Sequence, residues 1–175
     1  MSRNLLIIGA GIYGLVAKEI AESMGCFEKI AFVDDGAKVT PDGTPVIGTS
    51  NDLTALAGAY SDAVVAIGNP IVRQRMLNKI EEQTQMQVAT LISPRSFVSP
   101  SARLGNGCIV EPMAVIHTAC VLGKGCLVCA GAVINHASVC GDCVQVDCNA
   151  VVAGNTAVPD GMKVASGSVF KTTVS

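Results

Sequence analysis

The sequence predicts a small α/β domain, half of a dinucleotide-binding fold, followed by a parallel β-helix of three-sided cross-section. Three observations predict it. From Val98 to Phe170 an apolar residue recurs at every sixth position: Val98, Leu104, Val110, Ile116, Leu122, Val128, Ile134, Cys140, Val146, Val152, Val158, Val164 and Phe170. A period of six suits neither a helix nor a long alternating strand, so each hexapeptide supplies one short strand with one core residue. Gly105, Gly123 and Gly141 stand eighteen residues apart, so three hexapeptides make one coil. Ahead of the repeat, Gly9, Gly11 and Gly14 form a Gly-x-Gly-x-x-Gly turn between an apolar strand and a helix.

The elements follow in order. Asn4 to Gly9 reads as a buried strand, and the helix after the glycine turn runs to about Met24. A second strand, Ile30 to Val33, ends in Asp34-Asp35, and Asp34 lies twenty residues beyond Gly14. Glycines there let the backbone approach a phosphate at the helix N-terminus, and an acid at that spacing can meet a ribose hydroxyl. The alternative, that the glycines serve only helix-to-strand packing, stays open. Ala63 to Ile67 is a third parallel strand ending at Gly68-Asn69-Pro70, the next helix carries Arg73 and Arg75, and Val88 to Ile92 closes a small sheet. The domains are therefore 1–92 and 93–175. About ninety residues precede the repeat. That is half a full dinucleotide fold, and nothing after it supplies a hydride-transfer site, so a nicotinamide dehydrogenase is excluded.

In the repeat, the residue four places after each core marker is small at most positions, among them Cys108, Ala114, Cys120, Cys126, Ala132 and Ala150, which lets the chain turn into the next strand. The residues just before the markers, Ile109, Val115, Val121, Leu127, Val133 and Val139, are apolar where alternation directs many of them outward. Such stripes need a partner, so a homotrimer is expected. The Val164–Val174 segment, with its Val169-Phe170 pair, is expected to cover the far end of the prism.

Composition narrows the function. With 50% hydrophobic and 15% charged residues in 175, and a net charge of -2, the chain has a soluble core and no basic footprint for nucleic acid. The apolar run from Leu5 to Ala17 is interrupted by glycines and passes into Lys18 and Glu19, so it reads as a cytoplasmic start, and no stretch is long enough to span a membrane. Of eight cysteines, Cys126-x-x-Cys129 and Cys140-x-x-Cys143 have zinc-knuckle spacing. The hexapeptide phase instead puts Cys108, Cys120, Cys126 and Cys140 inside the prism, so reduced structural thiols and no metal are expected.

Four segments together resemble the bacterial sialic acid O-acetyltransferase (NeuD) and PglD group of sugar O- and N-acyltransferases: IIGAGIYGLVAKEI, FVDD at 32–35, AIGNPIVR at 66–73, and Ile134-Asn135-His136 followed by Cys140-Gly141-Asp142. The resemblance implies a left-handed β-helix, a trimer with sites between neighbouring prisms, and acetyl-CoA as co-substrate. It implies transfer of an acetyl group to the amine or hydroxyl of a nucleotide-linked sugar in cell-surface glycan synthesis. His136 would be the general base, a task suited to an imidazole. Gly9, Gly11, Tyr13, Gly14, Asp34 and Asp35 would hold the nucleotide sugar together with Gly68, Asn69 and Arg73. Gln145 and Gly154 would meet acetyl-CoA, and Asn135, His117, Asp142 and Asp147 would border the site as accessories. Departures from the group's pattern are Ile12-Tyr13 where Gly-His is common, Ala137 where an acid often follows the histidine, and Gln145 where PglD-like members have a second histidine. Val158-Pro159 arrives only 22 residues after His136, which shortens the coenzyme groove. These departures favour the alternative reading, a non-catalytic nucleotide-sugar-binding or assembly protein on the same scaffold. Glu111, Cys129 and Asp147 form a further eighteen-residue column, expected to be a solvated face.

Overall fold

The computed structural model describes residues 3–172, and the chain divides into two compact units, 1–91 and 92–175. In the first, β1 (Asn4–Ile8), β2 (Lys29–Val33), β3 (Asp62–Val65) and β4 (Gln87–Val88) form one parallel sheet in the order β2-β1-β3-β4. Leu5 to Ile8, Ala31 to Val33 and Ala63 to Val65 are all buried, the near-continuous apolar run that a parallel sheet covered on both faces requires. Helix α1 (Ile12–Met24) links β1 to β2, a single turn α2 (Leu53–Leu56) precedes β3, and α3 (Pro70–Gln83) links β3 to β4. α1 buries Gly14, Ala17, Ile20 and Ala21 along one face and stops at Gly25, whose φ of 64° provides the left-handed cap. The order of strands reverses between β1 and β3, which places the crevice of this sheet beyond their carboxyl ends.

The expected strand 88–92 is split. Val88 closes the parallel sheet, whereas Leu91–Ile92 (β5) is the first rung of a sheet in the β-helix. The run shows no sign of the break because it holds no glycine or proline, and Ala89 and Leu91 on either side of Thr90 are both buried.

The second unit is the left-handed parallel β-helix, built from two-residue rungs that pair every eighteen residues. Its first face stacks Leu91–Ile92, Ile109–Val110, Leu127–Val128, Gln145–Val146 and Lys163–Val164. Its second stacks Phe97–Val98, Val115–Ile116, Val133–Ile134, Val151–Val152 and Val169–Phe170, and its third Arg103–Leu104, Val121–Leu122, Val139–Cys140 and Ala157–Val158. The six-residue markers and the small residues between them fill the prism, Cys108, Cys120, Cys126 and Cys140 included. Inward thiols also cap carbonyls of the following coil: Cys108 Sγ to Gly123 O at 3.2 Å and Cys126 Sγ to Gly141 O at 3.1 Å. Burial, with Cys126 and Cys120 nearby, pushes the Cys140 thiol up to about 12, which keeps it protonated and inert. Phe170 packs against the core, Val169 is exposed, and Val174 lies outside the described residues.

Each turn places one residue in the left-handed region, at six-residue intervals from Gly107 to Gly167, with φ between 53° and 78°. Six of them are not glycine: asparagine, which tolerates this region, stands at Asn149 and Asn155, whereas at Met113, Ala119, Ala137 and Cys143 stacking must offset about 1–2 kcal/mol each. Gly105, Gly123 and Gly141 do not serve these turns; a Cβ on Gly105 would lie 2.7 Å from the carbonyl carbon of Gly123. They are glycine because successive coils touch there.

The outward apolar positions are not equivalent. Val121 and Val139 are exposed and Val115 and Val133 half-buried, but Ile109 and Leu127 are already buried within the single chain, Leu127 to 1% exposure. The first face is therefore not the free apolar stripe that the sequence suggested.

Candidate functional site

In the first unit the loops after β1 and β3 meet at the crevice. Ala66 N donates to Ile8 O at 2.8 Å, and a Cβ on Gly9, whose φ is 110°, would stand 2.7 Å from Ala66 O. Gly14 packs against the Gly9 carbonyl and Phe32, so Gly9 and Gly14 are glycine for packing. Gly11 differs: nothing of the protein lies within 4 Å of a Cβ there, and it caps α1 without a side-chain bond. The space at the helix N-terminus is open to a ligand. Tyr13 is half-buried in the first turn of α1.

Asp34 is drawn into this loop rather than left free. Its Oδ2 accepts from Ala10 N at 2.9 Å and its Oδ1 from Gly36 N and Ala37 N, both at 2.8 Å. Burial raises the Asp34 carboxyl, but the three backbone bonds outweigh it and hold the group below its ordinary value. Asp35 is engaged elsewhere, accepting from Ser50 N at 2.7 Å and Ser50 Oγ at 3.0 Å. Arg73 is wholly buried at 0% exposure, and its Nη1 donates to Ile67 O at 2.6 Å and Gly68 O at 2.9 Å. The guanidinium shapes the Gly68 loop from beneath. Asn69 caps α3, its Oδ1 accepting from Ile71 N at 3.0 Å and Val72 N at 3.2 Å, with Pro70 in the first helical position. Among the residues expected to hold a nucleotide sugar, Gly11 and the exposed Gly68 thus present open backbone, whereas Asp34, Asp35, Asn69 and Arg73 fix the loops around it. The exposed Ile12 and Ile71 are first-turn residues of the helices that follow these two strands, and their only sequence signal is that place.

In the β-helix the corner between the second and third faces carries His117, Asn135 and Ala153 in one column and Thr118, His136 and Gly154 in the next. His136 is exposed and lies over Gly154 of the following coil. Its backbone N donates to Asn135 Oδ1 at 2.8 Å and its carbonyl accepts from Asn155 N at 3.0 Å, which fixes the main chain beneath the ring. Asn135 therefore orients the turn, and His117, exposed one coil earlier, stacks in register with Asn135. Val133, Val151, Val121 and Val139 flank this corner on its two faces.

The remaining candidates are elsewhere. Asp142 belongs to the corner between the third and first faces, where its Oδ1 accepts from Lys124 N at 2.7 Å and its own N donates to Asp160 Oδ1 at 2.8 Å, a carboxylate ladder between coils. Gln145 lies on the first face, and its amide donates to Asp147 Oδ1 at 2.7 Å; Asp147 Oδ2 also pairs with Lys163 Nζ at 3.0 Å. Within one chain Asp147 therefore lies away from His136. The column that includes it is not a solvated face either, since Glu111 and Cys129 above it are buried. Among the described residues no helix is long and apolar enough to cross a membrane.

The family model of the PglD N-terminal domain matches residues 4–80. The acetyltransferase domain of PglB from Neisseria gonorrhoeae FA1090 superposes with a TM-score of 0.90 at 31% identity, over 96% of this chain and 82% of that one. The same domain in complex with acetyl coenzyme A gives a TM-score of 0.70 at 28% identity, covering 93% of this chain and 96% of that one. A histidine-to-asparagine mutant of perosamine N-acetyltransferase from Caulobacter crescentus, in complex with CoA and GDP-perosamine, matches with a TM-score of 0.73 at 26% identity, over 95% and 88% of the two chains. No curated protein sequence matches the chain.

Proposed function

The chain belongs to the PglD/NeuD group of sugar acetyltransferases, and from that premise we propose that it transfers an acetyl group from acetyl-CoA to the amine or hydroxyl of a nucleotide-linked sugar, with His136 as general base. The observation that carries the proposal is the exposed imidazole of His136, held over Gly154 at a prism corner. There it takes a proton from the sugar nucleophile as the lone pair attacks the thioester carbonyl, and coenzyme A leaves as the thiolate. The open helix N-terminus at Gly11 and the Gly68 loop receive the nucleotide phosphates. GDP-perosamine, bound by one structural neighbour, gives the first sugar to try.

The active unit we propose is a homotrimer. Gln145 lies nine residues, half a coil, beyond His136, so the two stand on opposite sides of one prism. Only another copy can bring Gln145 and its neighbours to the His136 corner. The exposed Val121 and Val139 and the second-face column of Phe97, Val115, Val133, Val151 and Val169 supply apolar surface for that contact. All eight cysteines are free thiols, in keeping with the reducing cytoplasm we assign to the enzyme.

Coenzyme A release is measured with GDP-, UDP- and dTDP-linked amino sugars and with free sialic acid. His136→Ala should lower kcat by about 10² to 10⁴ while leaving acetyl-CoA bound. An undiminished rate removes His136 from the mechanism, and calorimetry that finds nucleotide-sugar binding without acetyl-CoA binding replaces the enzyme with a scaffold protein.

A further inference from the structure

The corner between the first and second faces of the β-helix carries a chemistry that acyl transfer does not use. Glu111 and Cys129 stack there one coil apart, and Cys148 lies one position past the next member of the column, Asp147. One ligand atom from each of Glu111, Cys129 and Cys148 lies within 4.8 Å of the other two. Glu111 is 8% and Cys129 5% exposed, while Cys148 is exposed, so a largely buried pair opens to solvent on the Cys148 side. The carboxylate is fixed by Ala130 N, which donates to Glu111 Oε2 at 2.9 Å.

We propose that Glu111, Cys129 and Cys148 form a binding site for a soft divalent cation of the Zn2+ type. Two sulfurs and one carboxylate disfavour Mg2+ and Ca2+, which take oxygen ligands. In a tetrahedral zinc site the metal lies about 2.3 Å from sulfur and about 2.0–2.2 Å from oxygen, so the ligand atoms close to roughly 3.5–3.8 Å of one another. Small side-chain movements, freest at the exposed Cys148, must supply that closure. The two thiols bind as thiolates and their two protons pass to solvent; no electrons are transferred, and the fourth position stays open. Each ligand comes from a different, successive coil, so the cation clamps three coils together. The other cysteines with zinc-knuckle spacing do not converge here, because Cys126 and Cys140 lie in the interior of the prism.

The test is a Co2+ titration of the full chain, reduced and stripped of metal. An intense thiolate-to-cobalt absorption saturating at one Co2+ per chain, displaced by Zn2+, is expected. Cys129→Ser and Cys148→Ser should each weaken binding by more than about tenfold, and Cys26→Ser should not. Since a buried variant can misfold, the wild-type chain gives a second readout: Zn2+ should slow maleimide alkylation of Cys148, mapped by mass spectrometry, without slowing that of Cys26. Absence of the charge-transfer absorption, equal alkylation with and without Zn2+, or undiminished Co2+ binding by Cys148→Ser overturns the proposal. So does a Cys129–Cys148 disulfide in a protein that takes up no metal once reduced.

Discussion

The imidazole of His136 lies across the backbone of Gly154, its counterpart one coil on, with room for nothing larger: a Cβ on Gly154 would stand 2.7 Å from Cε1 and 3.0 Å from Nε2. Gly154 is thus the floor on which the proposed base rests. Gly154→Ala should tilt the ring while the coil stays paired, and a misplacement of about 1 Å can cost about 10² in rate. Steady-state kinetics should show kcat falling with thermal stability nearly unchanged; an unaffected kcat would mean that the ring orientation in this structure is not the working one.

Asp34 should matter for stability in a pH-dependent way. Asp34→Ala leaves the buried Ala10 N without its acceptor, at a cost of about 1–3 kcal/mol. The folded pKa lies below the unfolded value, so the stabilisation by Asp34 is fully present above about pH 4 and is lost as pH falls through the folded pKa. Urea denaturation of the two proteins should differ at pH 7 and converge in acid. A gap that is constant with pH would show that charge on Asp34 is not the cause.

Arg73→Met removes the donor to the Ile67 and Gly68 carbonyls. The loop after β3 should loosen, raising KM for the nucleotide sugar several-fold with kcat little changed, because the proposed base, His136, belongs to the other unit. A fall in kcat at constant KM would contradict this positioning role.

Assembly can be separated from folding by two substitutions in equivalent places on different faces. Val139→Asp alters a residue 48% exposed in the single chain and should yield a folded monomer without acetyltransferase activity. Leu127→Asp buries an unpaired carboxylate and should unfold the protein, a loss of several kcal/mol. Light scattering alongside circular dichroism distinguishes the outcomes, and an active trimer of Val139→Asp would place the contact on another face.

The features legible in the amino-acid order are those that recur locally. The six-residue markers, the eighteen-residue coil, the inward cysteines and the glycine turn before α1 were legible because each is set by side-chain direction or backbone conformation within a few residues. Periodicity cannot tell two outward apolar positions apart; that Leu127 is buried and Val139 exposed follows from packing between distant segments. Nor could spacing assign hydrogen bonds across the chain. Asp34 stands where a ribose-binding acid is expected, yet its oxygens accept from Ala10, Gly36 and Ala37, and Arg73 faces carbonyls rather than solvent. Cys148 gave no signal at all, because it is out of step with the Glu111 and Cys129 column by one residue and joins them only when three coils are stacked. A polar side chain takes the partner that folding brings within about 3 Å, and that partner is chosen by the packing of distant segments, which no local pattern encodes.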